Sequence, residues 1–305
     1  MNMKISFKSI VLAGLVGSAV FYSCGDSPAE SNGSDDQPQE TTPQDSSITR
    51  IIPVGKKVFS IPSPLQLSLL IQETGAEYDV TLLHDINNTT KYLDETKLAL
   101  NMGVYGADLG YTSIYRQNTD AIGYMKAVKQ LTDKLEIGEA FDKTIIETIE
   151  RNLNEANKDS LLSTISNAYR KTDGYLKNNK RTHVGALILA GGWVESVYFA
   201  TRINEVEKNE DVKDRIGEQR KALDNILNIL VKHYRKPGVD VIYTQLEELY
   251  TIFEEINISY TYEKPIVDVA NRHTTITSKT HVDFSPETYK KICDKVAEVR
   301  KTIIE

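Results

Sequence analysis

The chain has 305 residues, of which 40% are apolar and 26% charged, a mixture that can bury a core in one large or two small domains. Its net charge of −7 is unevenly divided: residues 1–23 carry +2, residues 24–49 carry −6, and the rest carries only −3. The bulk of the chain therefore lacks the basic footprint of a nucleic-acid binder, and its two cysteines, Cys24 and Cys293, offer no metal-type spacing.

The first residues, "MNMKISFKS", bring two lysines, and residues 10–22, "IVLAGLVGSAVFY", form a 13-residue apolar run. That run suits a secretory signal and is short of the ~20 residues that a spanning helix needs. The two positive charges favour an N-terminus left in the cytoplasm. Residues 25–47 contain no Ile, Leu, Val, Phe, Tyr or Trp, so they cannot bury apolar surface and are expected to be disordered. A flexible tether of about 25 residues has an r.m.s. span of roughly 25–30 Å.

A basic start, an apolar run and a small residue directly before cysteine resemble a bacterial lipoprotein signal. Ser23 and Cys24 match its last two positions. Phe21 and Tyr22 stand where Leu and a small residue are usual, which places the likeness with the looser signals of Bacteroidota-type envelopes. The resemblance implies lipid on the Cys24 thiol, cleavage before it, and a place in the cell envelope at the outer membrane, periplasmic or surface-facing. Cys293 would then have no intramolecular disulfide partner. The alternatives are plain secretion, with a cut after Ala19, and an uncleaved anchor. The organisation expected is 1–23 signal peptide, 24–50 disordered acidic tether and 51–305 a single mainly helical domain.

Past the tether, Pro62 and Pro64 bracket a helix start, and Gly75 fits its stop. Amphipathic spacing predicts helices near 93–117, 119–136, 139–156, 159–178, 182–207, 211–236 and 239–256. Residues 257–283 turn to Thr, Val, Ile and Tyr with local alternation and read as two or three short strands, with Asn271-Arg272 near a turn. A last helix opens with Ser285 as N-cap and Pro286 behind it, and carries the stripe Tyr289, Ile292, Val296, Val299 and Ile303. Cys293 flanks that stripe and reads as a buried small hydrophobe. The fold class expected is mainly α: a multi-helix bundle of antiparallel hairpins with a small β-hairpin element before the C-terminal helix. Residues 98–136 look slightly like a tetratricopeptide hairpin, but no neighbouring unit repeats it.

Two helices stand out. In 101–115, Gly103, Gly106, Gly110 and Ser113 fall within an arc of about 80°. Each mid-helix glycine costs roughly 1 kcal/mol against alanine, which close approach of a second helix could offset. Another face carries Asn101, Tyr105, Asp108, Tyr111, Thr112 and Tyr115. In 183–202, Gly191-Gly192 precede Trp193, and Glu195 lies in an apolar stretch on a face shared with Ile188, Tyr198 and Arg202. Glu195 at its middle argues for a core helix rather than a membrane span. Acids so placed need partners, with Tyr hydroxyls, Arg116, Arg202 and His183 as candidates. One reading has Asp108 and Glu195 fix the register of two packed helices. Another has a pocket for a small polar ligand, lined by Asp108, Glu195, Tyr105, Tyr111, Tyr115, Trp193 and Arg202. A third has the two carboxylates work as an acid–base pair.

His84-Asp85 could pair catalytically, but Asp85 and Asn87 read better as cap or turn residues. His273 and His281 could share a sheet face, yet two histidines without a third ligand do not make a zinc site. No Walker loop, Rossmann fingerprint, nucleophile elbow or zinc-protease motif occurs. No catalytic residue, metal or cofactor is assigned. The function expected is a lipid-anchored envelope protein whose helical domain binds a ligand or partner protein. The alternatives are an envelope hydrolase using buried carboxylates and a structural subunit of an envelope complex.

Overall fold

A computed structural model describes residues 49–54, 57–62, 64–139, 142–155, 157–268, 273–275 and 278–305. The signal segment, Cys24 and the acidic tether up to residue 48 lie outside these residues, as do Asn271 and Arg272. Among the described residues the fold is mainly α, with nine α-helices and small antiparallel strand pairs.

The first elements are strands. β1 (Thr49–Val54) pairs antiparallel with β2 (Lys57–Pro62), Ile51 opposite Ser60. Neither strand was expected, and β1 begins two residues inside the stretch read as tether. α1 (Pro64–Glu73) follows and ends where Gly75 takes the left-handed conformation, φ 86°. Residues 76–94 then run without regular structure apart from two 3-10 turns, Val80–Leu82 and Ile86–Thr90.

The helices come next: α2 (Glu95–Ile114), α3 (Asn118–Lys134), α4 (Lys143–Asn154), α5 (Lys158–Asn178), α6 (Thr182–Glu207), α7 (Glu210–Leu230) and α8 (Val239–Phe253). Their starts are chemically marked. Asp94, Asp142, Asn157 and Asn209 each accept a backbone N–H from the first turn of the helix that follows. α7 ends six residues before the expected 236. Its last turn tightens into the 3-10 turn Val231–His233, and Pro237 disfavours α geometry at Lys236.

β3 (Asn257–Thr261) pairs with β6 (Lys279–Asp283), and β4 (Ile266–Asp268) with β5 (His273–Thr275), one antiparallel pair nested inside the other. His273 lies opposite Asp268 and His281 opposite Ser259, so the two histidines belong to different strand pairs. α9 (Pro286–Ile304) closes the fold with Ser285 as N-cap, its hydroxyl accepting from Thr288 N–H at 3.0 Å.

α2 and α6 are buried on every side and make the most extensive helix–helix contact of the molecule. A helix that is apolar all round belongs at the centre of a core. α6 is long and apolar enough to cross a membrane, but 94% of that apolar window is buried inside the protein, as befits a core helix. α1, α5, α7 and α9 pack around α6, and one hydrophobic cluster runs through them all.

The glycines explain how the central pair approaches. A β-carbon on Gly103 would overlap the Ile188 carbonyl oxygen of α6, and one on Gly191 would overlap the Leu100 carbonyl oxygen of α2. Gly106 and Gly110, on the same arc of α2, face other neighbours: the Tyr169 hydroxyl of α5 and the Leu65 side chain of α1. Cys293 is buried on α9, and burial pushes its thiol up to about 11.

Candidate functional site

Asp108 on α2 and Glu195 on α6 are both fully buried, and they influence each other's titration directly. Their cationic partner is Arg300 of α9. Its Nε donates to Glu195 Oε2 at 2.6 Å and its Nη2 to Glu195 Oε1 at 2.7 Å. Nη2 also donates to the Leu82 carbonyl at 3.0 Å, and the guanidinium lies 4.2 Å from the centre of the Tyr198 ring. This bidentate fork is the strongest arrangement open to a carboxylate and an arginine.

Three ionisable groups in so dry a place cannot all be charged. Burial, then the negative Glu195, hold the Asp108 carboxyl well above the ordinary carboxylate range, with Arg300 and the His84 backbone N–H acting the other way. Burial pushes Glu195 up as well, but the guanidinium opposes that shift and keeps it the ionised member. Asp108 is then a neutral acid beside a carboxylate, placed to give that carboxylate its proton as a hydrogen bond. The His84 backbone N–H is near Asp108, but neither Asp108 oxygen completes a full hydrogen bond, in keeping with a carboxyl that is itself a donor.

Around this centre lies a shell of rings. His84 stacks on Tyr105 at 5.1 Å, and its Nε2 sits 2.6 Å from the Tyr92 hydroxyl. Tyr92 donates its only proton to the Ile304 carbonyl at 3.0 Å, so His84 is the donor to Tyr92 and carries its proton on Nε2. Burial, with Arg300 nearby, lowers His84 to about 4. Asp85 caps the following 3-10 turn by accepting from Asn87 N–H at 2.9 Å, so the cap role holds.

The remaining tyrosines expected to line a pocket hold backbone instead. Tyr105 donates to the Asp85 carbonyl at 2.9 Å and Tyr115 to the Ala76 carbonyl at 2.9 Å, while Tyr111 accepts from Asp79 N–H at 3.1 Å. Tyr124 of α3 donates to the His84 carbonyl at 3.0 Å. An irregular segment over a core leaves peptide groups that must be satisfied. The tyrosine stripe of α2 satisfies them, strapping residues 76–85 across the buried acids.

The other residues of the expected pocket point elsewhere. Trp193 donates through Nε1 to Gln219 of α7 at 3.1 Å. Arg202 pairs with Glu205 at 2.5 Å at the surface, His183 contacts Glu95 at 2.7 Å, and Arg116 is exposed with a left-handed backbone. Three cavities among the described residues also lie away from the acids. One of about 20 Å³ sits among Met102, Gly106, Ile149, Ile165 and Tyr169, and two open ones occupy the surface beside α1–α7 and at residues 231–236. Among the described residues no group of three His, Cys, Asp or Glu could hold a metal ion.

Sequence reasoning missed Arg300, although its spacing is informative. It lies seven residues after Cys293, four after Val296 and three before Ile303, all buried. A charge at such a position on the apolar stripe is the natural partner for a buried acid. Comparison with protein-family models, with curated proteins and with solved structures gives no match.

Proposed function

We propose that the chain is a cell-envelope lipoprotein, held to the membrane by lipid on Cys24, whose helical domain presents its outer surface to a partner protein. The observation that carries the second half is the closure of the ionic centre. Asp108, Glu195 and Arg300 are consumed by one another beneath a strapped segment, which leaves no reachable carboxylate there for acid–base work on a substrate. That favours partner binding over hydrolysis by this pair. Exposed apolar surface supports the same reading. Tyr260, Tyr262, Ile266 and Val267 of β3, β4 and their link are each more than 60% exposed. Among the described residues each strand pair has two strands, and the outer edge of a two-stranded pair is a place where a further strand can add. Exposed apolar and strand-edge groups of this kind suit a protein partner.

The anchor is tested by metabolic labelling with a fatty-acid analogue. Wild type is expected to take up label and Cys24→Ser to take up none; label retained in Cys24→Ser removes the anchor. The surface is tested by a photoreactive residue at Tyr262 in cells. One discrete crosslinked species is expected there, and none from the same probe at Lys301 on the exposed side of α9. Equal crosslinking from both positions contradicts a partner surface at the strands.

A further inference from the structure

A second charged feature lies past the C-terminal end of α7. Lys232, His233, Tyr234, Arg235 and Lys236, with Val231, line an open cavity of about 380 Å³. Its wall is a run of closed turns. Tyr234 N–H donates to the Val231 carbonyl at 3.3 Å, Lys236 N–H to His233 at 2.8 Å, and Val239 N–H to Lys236 at 3.1 Å. Pro237 fixes its own φ, and its carbonyl accepts the Thr96 hydroxyl at 2.7 Å. Gly238, at φ 74°, rests against the Thr96 side chain. On the inner side the His233 ring packs 5.8 Å from that of His183, and its Nε2 lies 3.4 Å from the Thr182 hydroxyl. The lining is therefore preset by contacts to α2 and α6.

The charge of this lining is not neutralised. From Asn225 to Val239 the sequence holds three full cations and no acid, in a chain whose net charge is −7. Along α7 itself, Lys213, Arg215 and Lys221 each pair with a carboxylate. Lys232, Arg235 and Lys236 pair with none among the described residues. Glu95, behind His183, is already held by Arg181 and His183. The helix end alone asks for roughly half a positive charge. Three cations around one concavity exceed that need. Burial first, then the neighbouring His183, Lys236 and Lys232, lower the proton affinity of His233.

We propose that this cavity binds a phosphate-bearing anion. The planar fork of Arg235 offers paired N–H donors to phosphate oxygens, and two ammonium groups supply point charge. A volume of about 380 Å³ exceeds what one phosphate fills, leaving room for a diphosphate or the organic part of an ester. Tyr234, 44% exposed and edge-on to Tyr243, gives that organic part a face to lie on. The shared chemistry has two sources, a free phosphate compound or a phospholipid headgroup. The site does not depend on the lipid anchor.

The test is calorimetric titration of the full chain in neutral detergent at low salt. The probes are sodium pyrophosphate and, separately, dihexanoyl-phosphatidylglycerol below its micelle concentration. Saturable binding of at least one probe is expected, weakened tenfold or more in Arg235→Gln/Lys236→Gln. The control Lys290→Gln/Lys291→Gln, which removes equal charge from α9, is expected to stay within twofold of wild type. Binding of pyrophosphate alone assigns the site to free phosphates, binding of the lipid alone to headgroups, and mutual competition to both. The proposal is overturned if neither probe saturates, or if both double variants lose affinity equally, which would make the effect one of net charge.

Discussion

Glu195 and Arg300 share two hydrogen bonds out of reach of water, with Asp108 beside them as the neutral acid. The three residues should therefore respond differently to isosteric substitution. Asp108 is protonated in the folded state and ionised in the unfolded chain above its ordinary value. Raising the pH above that value therefore favours unfolding. Asp108→Asn removes this cost and keeps a donor toward Glu195, so a gain of about 1 kcal/mol at pH 7 is expected in urea unfolding. Glu195→Gln leaves the guanidinium buried without its counter-charge and should lose about 3–5 kcal/mol. If Asp108→Asn were as damaging as Glu195→Gln, Asp108 would be an ionised partner after all.

His84 makes a prediction of opposite sign along the pH axis. Burial, then Arg300, lower its pKa from the ordinary 6.5 to about 4 in the folded protein. Above 6.5 neither state binds the proton and its contribution is fully present; as pH falls toward 4 only the unfolded chain binds it, and stability is lost. The loss reaches about 3 kcal/mol near pH 4. Urea midpoints of His84→Gln and wild type should converge between pH 7 and 4.5, because the variant lacks this term. Parallel pH profiles would show that His84 is not held neutral. The sequence showed that Asp108 and Glu195 needed partners, since Asp108 lies on a polar-aromatic stripe of a glycine-rich helix and Glu195 in the middle of an apolar stretch. It could not show that they meet one arginine from a third helix, because periodicity orders residues within a helix and is silent on which helices adjoin.

The helices themselves were largely legible. α6 spans Thr182–Glu207, the range its pattern predicts, and most other ends fall within a few residues of expectation. Capping aspartates and asparagines mark the starts by local chemistry alone. The hairpin of β1 and β2 escaped notice because two prolines and two lysines break its alternation. Glycine spacing on α2 correctly implied close approach, but only the structure separates the neighbours. Gly103→Ala and Gly191→Ala drive a methyl into a backbone carbonyl, so each should cost more than 3 kcal/mol. Gly174, within α5, has nothing within 4 Å of an added β-carbon. Gly174→Ala should therefore stabilise by up to about 1 kcal/mol, read as a rise in the thermal midpoint. Equal losses at all three would rule out helix contact as the cause.

At the scale of the whole domain, the strap of residues 76–85 and α9 close over α2 and α6 from different ends of the sequence. Lys97 Nζ donates to the Thr302 carbonyl at 2.5 Å, Asn101 to Ile303 at 2.9 Å and Tyr92 to Ile304 at 3.0 Å. The free carbonyls at the end of α9 are thus capped by side chains about two hundred positions earlier. Arg300 reaches Glu195 from the same helix. A chain that emerges from its N-terminus can assemble α2 against α6 before α9 is available, but Glu195 would then be dry and unanswered. The counter-charge arrives only with the last helix. The centre therefore closes only when a residue 105 positions later in the chain than Glu195 is in place.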